Sequence, residues 1–424
     1  MVTFKENKLN NDIKINTDSI ATIIFVIFYS MPFFKWAVEN VFELIGIQNI
    51  ANIVILTLLY SCVLILCKIN SKYIIVDFLF LLVGIISFFI ITYTLHPEYN
   101  YVYFRADYGV LNYVLRPDNG IYAYLFVRML NDPKNLHKGL TISSFITFFY
   151  SIILFYFSMK RGYWLGENYL GEVAKYSYDL NFGYNLVLPT CTFIYNGLHE
   201  NKKFQLVMAI ISLGMILIAG SRGPLLSIII FALLYNIVNN IRSKNKIRSI
   251  ITCFSVLLII FITYNNLDTI KIYLDNAGIS SRTISKILEN DISDVNGRDV
   301  LWEAAINHIK RNPLGSGAMG ARNILYRIHY VGHPHNLFLE IFIDYGLVIG
   351  SFIILKMILE TTRILFLDEN SDWSWIYLLF LAQACTLLTS YTYWHSNAIW
   401  GLLAVIICNK LTKKYFLKRG KNGK

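Results

Sequence analysis

The sequence predicts an all-α fold, a polytopic integral membrane bundle of about twelve transmembrane helices, and three observations support this prediction. Of the 424 residues, 55% are hydrophobic and only 15% are charged, whereas about 25% is usual for soluble domains. The mean hydropathy of the chain is +0.49. Apolar runs of about 20 residues, long enough to cross a bilayer as a helix, recur along the chain. Together these observations exclude a soluble multidomain enzyme.

The apolar runs define the expected spans. Eleven are continuous, and they are 18–37, 50–69, 73–94, 140–158, 180–198, 204–220, 223–240, 249–264, 335–357, 373–391 and 396–410. A twelfth, 108–131, is interrupted by Arg116, Asp118 and Arg128. We expect this segment to cross as an irregular helix, because an even number of spans is needed to satisfy the charge distribution described next.

Basic residues set the expected topology, since loops that stay in the cytoplasm are enriched in lysine and arginine. The C-terminal tail 410–424 contains seven such residues, and the linker 241–248 contains four. With the lysines of the N-terminal segment also inside, both termini are cytoplasmic and the longest polar segment, 265–334, lies outside. The net charge of +11, from 38 basic and 27 acidic residues, is therefore a topology signal. Nucleic acid is not an expected partner.

Three regions follow from this map. The first is an N-terminal membrane region of about nine spans (1–264), and the second is an extracytoplasmic loop subdomain before the tenth span (265–334). The third is a C-terminal membrane region of about three spans with a basic cytoplasmic tail (335–424). The six cysteines lie in apolar stretches and form no CxxC pair, so neither a disulfide framework nor a zinc site is indicated.

Two arginines and one histidine are the main candidates for chemistry at the outer face. They are Arg222 in an SRG segment, Arg298 in a GRD segment and His335 in an HPHN segment. Guanidinium groups bind phosphate bidentately, and a neutral imidazole accepts a proton, so the set suits an anionic lipid-linked substrate. Structural alternatives are a helix-capping or snorkelling Arg222, a solvated Arg298, and a His335 that only begins a helix.

Two carboxylates follow on the helix that begins at Asn336. Glu340 and Asp344 are spaced i,i+4, so they share one face of this helix with the asparagine. Carboxylates within a span are costly and usually face a cavity. We therefore expect Asn336, Glu340 and Asp344 to bind substrate, to orient His335 or to supply an alternative base. Hydration near the membrane surface is the simpler alternative for the two acids.

Two further patterns do not predict a ligand site. His329, His333 and His335 could be read as zinc ligands, but Gly332 and Pro334 break the helix that would align them, so no metal is expected. The GSGAMG run at 315–320 matches GxGxxG but precedes no βαβ unit, so we expect a flexible turn there.

Three motifs together resemble the O-antigen ligase and polysaccharide polymerase superfamily, whose members share a helical-bundle membrane fold. They are SRGPLL, GRDVLWEAAINHIKRNPLGSGAMG and HPHNLFLEIFIDYGLVIG, within 220–350. The resemblance implies a metal-independent inverting glycosyltransferase of the bacterial inner (plasma) membrane, without a cofactor. Its donor would be an undecaprenyl-pyrophosphate-linked glycan on the outer face. Arg222 and Arg298 would then bind pyrophosphate, and His335 would activate the acceptor hydroxyl.

Within this superfamily we favour a repeat-unit polymerase for O-antigen or capsular polysaccharide. The stretch 161–189 looks like segments of such polymerases, and the chain departs from the ligase pattern after Gly346, where three aliphatic residues precede Gly350. A ligase that moves finished glycan onto a lipid or protein acceptor shares the site and stays open. A transporter of lipid-linked oligosaccharide is a more distant alternative. Expected partners include membrane lipid, a flippase and a chain-length regulator.

Overall fold

The computed structural model describes most of the chain as helices. The described residues are 17–44, 50–69, 72–105, 109–118, 120–167, 173–176, 179–220, 222–242, 265–276, 282–289, 298–328, 332–368 and 371–422. One antiparallel hairpin, β1 (Trp164–Glu167) and β2 (Val173–Tyr176), is an addition to the predicted all-α fold. The all-α class is otherwise confirmed.

The helices follow the apolar runs of the sequence. They are α1 (Thr17–Tyr29), α2 (Met31–Leu44), α3 (Ala51–Ile69), α4 (Lys72–Leu95), α5 (Asn100–Tyr103), α6 (Val110–Leu115), α7 (Gly120–Leu130), α8 (Pro133–Arg161), α9 (Leu180–His199), α10 (Lys203–Ile218), α11 (Arg222–Arg242), α12 (Leu267–Asn276), α13 (Arg282–Leu288), α14 (Arg298–Arg311), α15 (Gly320–Leu325), α16 (Leu337–Thr362), α17 (Ser371–Ala384) and α18 (Asn397–Asn422). A π-helical turn, Arg363–Leu367, extends α16, and a 3₁₀ turn, Cys385–Leu388, extends α17.

Several of these helices are long and apolar enough to cross a membrane. In the described part of the chain, five meet this criterion, or six if α1 and α2 form one bent span. The protein is therefore an integral membrane protein. The expected span 249–264 lies outside the described residues, and the total of about twelve spans stays a prediction.

Two of the expected spans divide into separate helices. The run 18–37 divides at Ser30, where α1 and α2 meet at 75°, and Pro32 in the first turn of α2 favours a new helix start. The irregular helix expected over 108–131 is instead two helices, α6 and α7, separated at Pro117. Because α7 has 11 residues, it is about 17 Å long, well short of the roughly 30 Å hydrocarbon core.

Helix α7 lies at the centre of the bundle, with all its residues buried. It packs mainly against α18 and α1, as expected for a helix that is apolar on nearly every side. Its charged residue, Arg128, is 3% exposed and donates to Asp77 Oδ2 at 2.9 Å. Tyr124 donates to the same oxygen at 2.6 Å. The Asp77 side chain is 33% exposed, so this pair is only partly buried.

Local sequence sets the ends of the longest helix, α8. Asp132 precedes it, and the Asp132 carboxylate accepts the backbone N–H of Asn135 at 3.1 Å. Pro133 occupies the first turn, where its missing N–H costs nothing. Gly162 follows the last turn in the left-handed conformation, φ +75°, which glycine adopts without a steric penalty. These residues explain why one helix spans 29 positions.

One end of the bundle collects residues that were expected in cytoplasmic loops. Arg242, the last residue of α11, donates to the carbonyl oxygens of Leu365 at 2.9 Å and Asp368 at 3.1 Å. These carbonyls lie at the end of the π-helical turn, where no further backbone N–H of the helix is available to them. The guanidinium of Arg242 supplies the missing hydrogen-bond donors. Lys410 pairs with Glu360 at 2.6 Å at the same end.

The opposite end collects residues that were expected outside. Tyr99 donates to the carbonyl oxygen of Ser316 at 3.1 Å, and Tyr103 donates to that of Ala318 at 2.7 Å. These contacts join the loop after α4 to the segment between α14 and α15. Residues that were predicted to lie on the same side of the membrane thus contact each other. Which end of the bundle faces the cytoplasm stays a prediction.

Candidate active site

A kink in α16 forms the base of the candidate site. Gly346 has φ +76° and ψ 176°, which interrupts the helix. The backbone N–H of Leu347 consequently donates to Pro313 at 2.8 Å rather than to its own helix. The N–H of Ser316 donates to the Ile343 carbonyl at 2.7 Å. Residues 313–317, here called the docking segment, thus replace the hydrogen bonds that the kink removes from α16.

Glycines make this close backbone approach possible. A Cβ on Gly346 would lie within 3.0 Å of backbone atoms of Leu314 and Pro313, and a Cβ on Gly315 would similarly approach Gly346. Because both glycines also have positive φ, other residues would be strained there. The turn expected at 315–320 is present at 315–319, and its residues Ser316 and Gly317 donate backbone hydrogen bonds to α16.

The predicted base lies in a tight turn just before α16. His335 has φ +51°, a left-handed conformation that histidine adopts more readily than most residues but that still carries strain. Its ring centroid lies 4.2 Å from that of His333, which is 4% exposed. Trp302 of α14 donates its indole N–H to the Pro334 carbonyl at 2.8 Å. This bond holds the histidine turn against α14.

Helix α14 also carries the second predicted arginine. Arg298 is its first residue and precedes Trp302 by four positions, so both side chains lie on the same face of the helix. The face that holds Pro334 therefore includes Arg298, which is partly buried. The preceding Gly297 lies outside the described residues.

Asn336 caps α16. Its side-chain oxygen accepts the backbone N–H groups of Phe338 at 3.0 Å and Leu339 at 3.2 Å. The predicted substrate contact from Asn336 would therefore come from its amide NH₂ group, because the oxygen is already used as a helix cap.

The first predicted arginine begins another helix. Arg222 is the first residue of α11, and Ser221 before it lies outside the described residues. The next residue, Gly223, packs so closely that a Cβ there would lie within 3.0 Å of the Tyr184 and Thr389 hydroxyls. The N-terminus of α11 thus contacts both α9 and residues 389–396, here called the connecting segment, which joins α17 to α18.

Glu340 and Asp344 hold the connecting segment against α16. Glu340 is 3% exposed and Asp344 is 2% exposed, so hydration at the membrane surface is wrong as an explanation for either. Thr392 donates its hydroxyl to Glu340. Tyr393 donates to Asp344 Oδ2 at 2.6 Å, and Trp394 donates to the same atom at 3.0 Å. Both carboxylates therefore position the segment that Gly223 also contacts.

Two further residues of this region were not predicted from the sequence. Arg322 of α15 is 7% exposed and donates to the Tyr113 hydroxyl at 2.7 Å. The Tyr113 ring packs edge-on against His395, with 5.8 Å between centroids. Burial lowers the pKa of His395 from 6.5 to about 4, so this ring is neutral at pH 7. The polar run YTYWHSN within an apolar stretch was the available signal for His395, and nothing in the local pattern indicated Arg322.

The donor sets found here do not form an evident metal site. Within the described ranges, no group of three histidine, cysteine or acidic side chains is placed to hold a metal ion. His329, considered above as a ligand, lies outside those ranges.

Comparison with known protein families identifies part of the chain. Residues 207–354 match the model of a family described as O-antigen ligase. The match covers about a third of the chain, and this segment is similar to that family. The superfamily predicted from the three motifs is thereby confirmed, and members of the O-antigen ligase family are membrane enzymes of the glycosyltransferase type. No curated protein and no solved structure matched the chain.

The O-antigen ligase segment contains the elements of the site described above. Its bounds include the N-termini of α11 and α14, the docking segment and the first part of α16. The connecting segment lies beyond residue 354. It reaches the family segment through the contacts that Glu340, Asp344 and Gly223 make.

Proposed function

We propose that this protein is a repeat-unit polymerase of O-antigen or capsular polysaccharide, a metal-independent inverting glycosyltransferase. It would transfer an undecaprenyl-pyrophosphate-linked glycan to the acceptor sugar of a second lipid-linked repeat unit. The observation that carries this proposal is that one O-antigen ligase family segment, 207–354, contains Arg222, Arg298 and His335.

The placement of the two arginines supports an anionic substrate. Each is the first residue of its helix, α11 or α14. A helix N-terminus carries a partial positive charge and free backbone N–H groups, which favour a bound anion. A guanidinium at that position adds a full charge and a bidentate donor geometry. Arg222 and Arg298 are thus suited to a pyrophosphate group that gains charge as it leaves.

The reaction assigns one step to each group. A hydroxyl of the acceptor sugar attacks the anomeric carbon of the donor, and a ring nitrogen of His335 takes the hydroxyl proton. The bond between that carbon and the pyrophosphate oxygen breaks as the new glycosidic bond forms, with inversion. Undecaprenyl pyrophosphate leaves with the electron pair, and Arg222 and Arg298 stabilise its charge. The proton then passes from His335 to solvent.

The position of the site in the cell follows from the charge distribution. Basic tail and linker residues favour a cytoplasmic location for both termini. The N-terminus of α11, α14 and the histidine turn would then lie on the outer face of the inner (plasma) membrane. A lipid-linked unit delivered by a flippase would reach this face, where a chain-length regulator could also act.

The test is a size-resolved gel of lipid-linked and surface glycan from a strain without this gene, complemented with single variants. We expect His335→Ala and Arg222→Ala to restore no ladder at normal protein levels. Arg222→Lys should restore it only weakly, because lysine lacks the planar fork. The controls are His96→Ala, which changes a partly exposed residue, and Arg311→Ala, which changes an exposed one. A normal ladder from a well-expressed His335→Ala strain would refute the assignment of the base.

A ligase is the second candidate, and the description of the matched family favours it. It would use the same donor and the same three residues but transfer finished glycan to a lipid or protein acceptor. The same gel separates the two functions. Single repeat units in the gene-deleted strain support a polymerase, whereas long chains that accumulate on the lipid carrier support a ligase.

A further inference from the structure

A polar cavity lies inside the helical bundle, separate from the histidine turn. It is lined by side chains of α1, α2, α8, α9, α17 and α18, and about 80 Å³ is accessible to the centres of water-sized molecules. One water needs about 10–15 Å³ by this measure. Its polar lining consists of amides and hydroxyls, which include Ser144, Thr147, Asn185, Gln383 and Asn397. The described residues that line it include no charged side chain.

Helix irregularities surround this cavity. Helices α1 and α2 meet at Ser30 with a 75° bend, and α9 contains Pro189. Helix α17 changes to a 3₁₀ turn at Cys385, and α18 begins at Asn397. Irregular backbone within a membrane protein is tolerated where it lines a hydrated or polar cavity, and broken helices commonly form substrate sites. Several independent irregularities in the helices therefore surround the cavity.

Polar atoms of the lining have no partner among the described residues. They are the Ser144 hydroxyl, the Gln383 side-chain oxygen and the Tyr29 hydroxyl. Ser144 is 1% exposed, and other hydroxyls such as that of Ser212 instead bond a carbonyl one turn earlier in the same helix. Because buried polar groups are normally satisfied, these atoms indicate a hydrogen-bonding occupant.

The chemistry of the lining identifies the class of occupant. Amides and hydroxyls both donate and accept hydrogen bonds, as sugar hydroxyls do, and the aromatic rings of Phe28 and Tyr29 can pack against the apolar C–H face of a sugar ring. A bound anion would have no basic side chain to pair with among the described lining residues. A lipid chain would leave the polar atoms unsatisfied.

Consecutive residues of α9 line this cavity and contact the N-terminus of α11. Asn185 follows Tyr184 directly on α9, and the Tyr184 hydroxyl packs against Gly223, the residue after Arg222. Gln383 near the end of α17 lines the cavity, and Thr389, six positions later, lies against Gly223. A glycan whose pyrophosphate is bound at Arg222 could therefore place an uncharged sugar in this cavity.

We propose that this cavity is a binding subsite for an uncharged sugar ring of the lipid-linked glycan, with Asn185, Gln383 and Ser144 as its specificity-determining residues. The proposal rests on the proposed function for the identity of the glycan. It goes beyond that function because it assigns recognition of the sugar to groups outside the reacting centre. Their interactions would be the same in the ground state and the transition state, so they should affect KM more than kcat.

The test measures binding without turnover. The probe is the repeat-unit oligosaccharide released by mild acid from the lipid carrier of the gene-deleted strain. Its binding to the purified full-length protein in nanodiscs is followed by saturation-transfer NMR. We expect wild type and His335→Ala to bind equally, and Asn185→Leu and Gln383→Leu to bind at least about tenfold more weakly, since each loses an amide partner of the sugar. Asn40→Leu is the matched control, because its exposed amide bonds only to its own helix.

Each outcome decides the proposal. Binding by Gln383→Leu that equals wild type, or no binding by wild type, overturns it. If the leucine variants fail to give a monodisperse protein, Ser144→Ala, which removes only one oxygen, replaces them and should still weaken binding several-fold. In turnover assays, Gln383→Leu should raise KM and leave kcat nearly unchanged. If His335→Ala retains full turnover, the proposed function fails, while the binding comparison still tests the subsite.

Discussion

Replacing Gly346 by alanine should release the docking segment from α16. The backbone at this position has φ +76° and ψ 176°, a region that is essentially restricted to glycine. An added Cβ would also lie within 3.0 Å of the carbonyl carbon and oxygen of Leu314 and the carbonyl oxygen of Pro313. These are backbone atoms, so no side-chain rotation can relieve the overlap.

The expected loss of stability combines two effects. Forcing a residue with a side chain into this conformation costs about 1–3 kcal/mol. Moving the docking segment away weakens the bonds from Leu347 to Pro313, from Ser316 to Ile343, and from Gly317 to α16, each worth about 1 kcal/mol net. We expect a loss of about 4–6 kcal/mol in total, a large part of the roughly 5–15 kcal/mol that stabilises a typical domain.

The assay is reversible unfolding of the purified protein in mixed detergent micelles, followed by the fluorescence of its tryptophans. Gly84→Ala is the control, because a Cβ on Gly84 in α4 would meet no atom within 4 Å, so stability should stay equal or rise slightly. The Gly346→Ala strain should also make a weaker glycan ladder, since α14 and the histidine turn depend on the docking segment. An unfolding free energy within about 1 kcal/mol of wild type would refute this reasoning.

Three further substitutions test other contacts. Trp302→Phe removes the bond to Pro334, so glycan synthesis should fall several-fold while the unfolding free energy changes by about 1–2 kcal/mol. Asp344→Asn introduces an NH₂ group in place of an acceptor for Trp394, and limited proteolysis should then cut the connecting segment faster. The pKa of His395 is lowered to about 4. Stability should therefore be full above about pH 6.5 and fall toward pH 4, because the unfolded chain takes up the proton first. His395→Gln should flatten this fall in the melting temperature.

The positions of the five helices that are long and apolar enough to span a membrane were predictable, because hydrophobicity acts over about 20 residues and does not depend on neighbouring helices. Breaks within spans were harder to predict, although local signals existed. Pro32 follows the bend at Ser30, and Arg116-Pro117-Asp118 is a typical turn sequence that was treated as an interruption of one helix. Hydropathy is averaged over about 20 residues, so such short turn signals are lost in the average. For this reason α1 and α2 were predicted as one span, as were α6 and α7.

Residues of the candidate site could be predicted only where they belong to a short sequence motif. The positions of Arg222, Arg298 and His335 came from short segments, and their roles stay proposals. The partners of Glu340 and Asp344 could not be predicted, because Tyr393 and Trp394 are about 50 residues distant and meet them only through tertiary packing. Burial of Arg322 likewise depends on contacts from other helices.

The kink at Gly346 has a consequence for how the chain is built into the membrane. The N–H of Leu347 finds its acceptor in Pro313, which is synthesised earlier and, by the expected topology, must already have been translocated. Until these groups meet, α16 would expose unsatisfied backbone to lipid, which costs several kcal/mol per group. Insertion of α16 and docking of the translocated segment should therefore be one coupled event during biogenesis. A translation arrest placed far enough after residue 362 for α16 to have left the ribosome should leave α16 only loosely inserted when residues 313–317 are deleted.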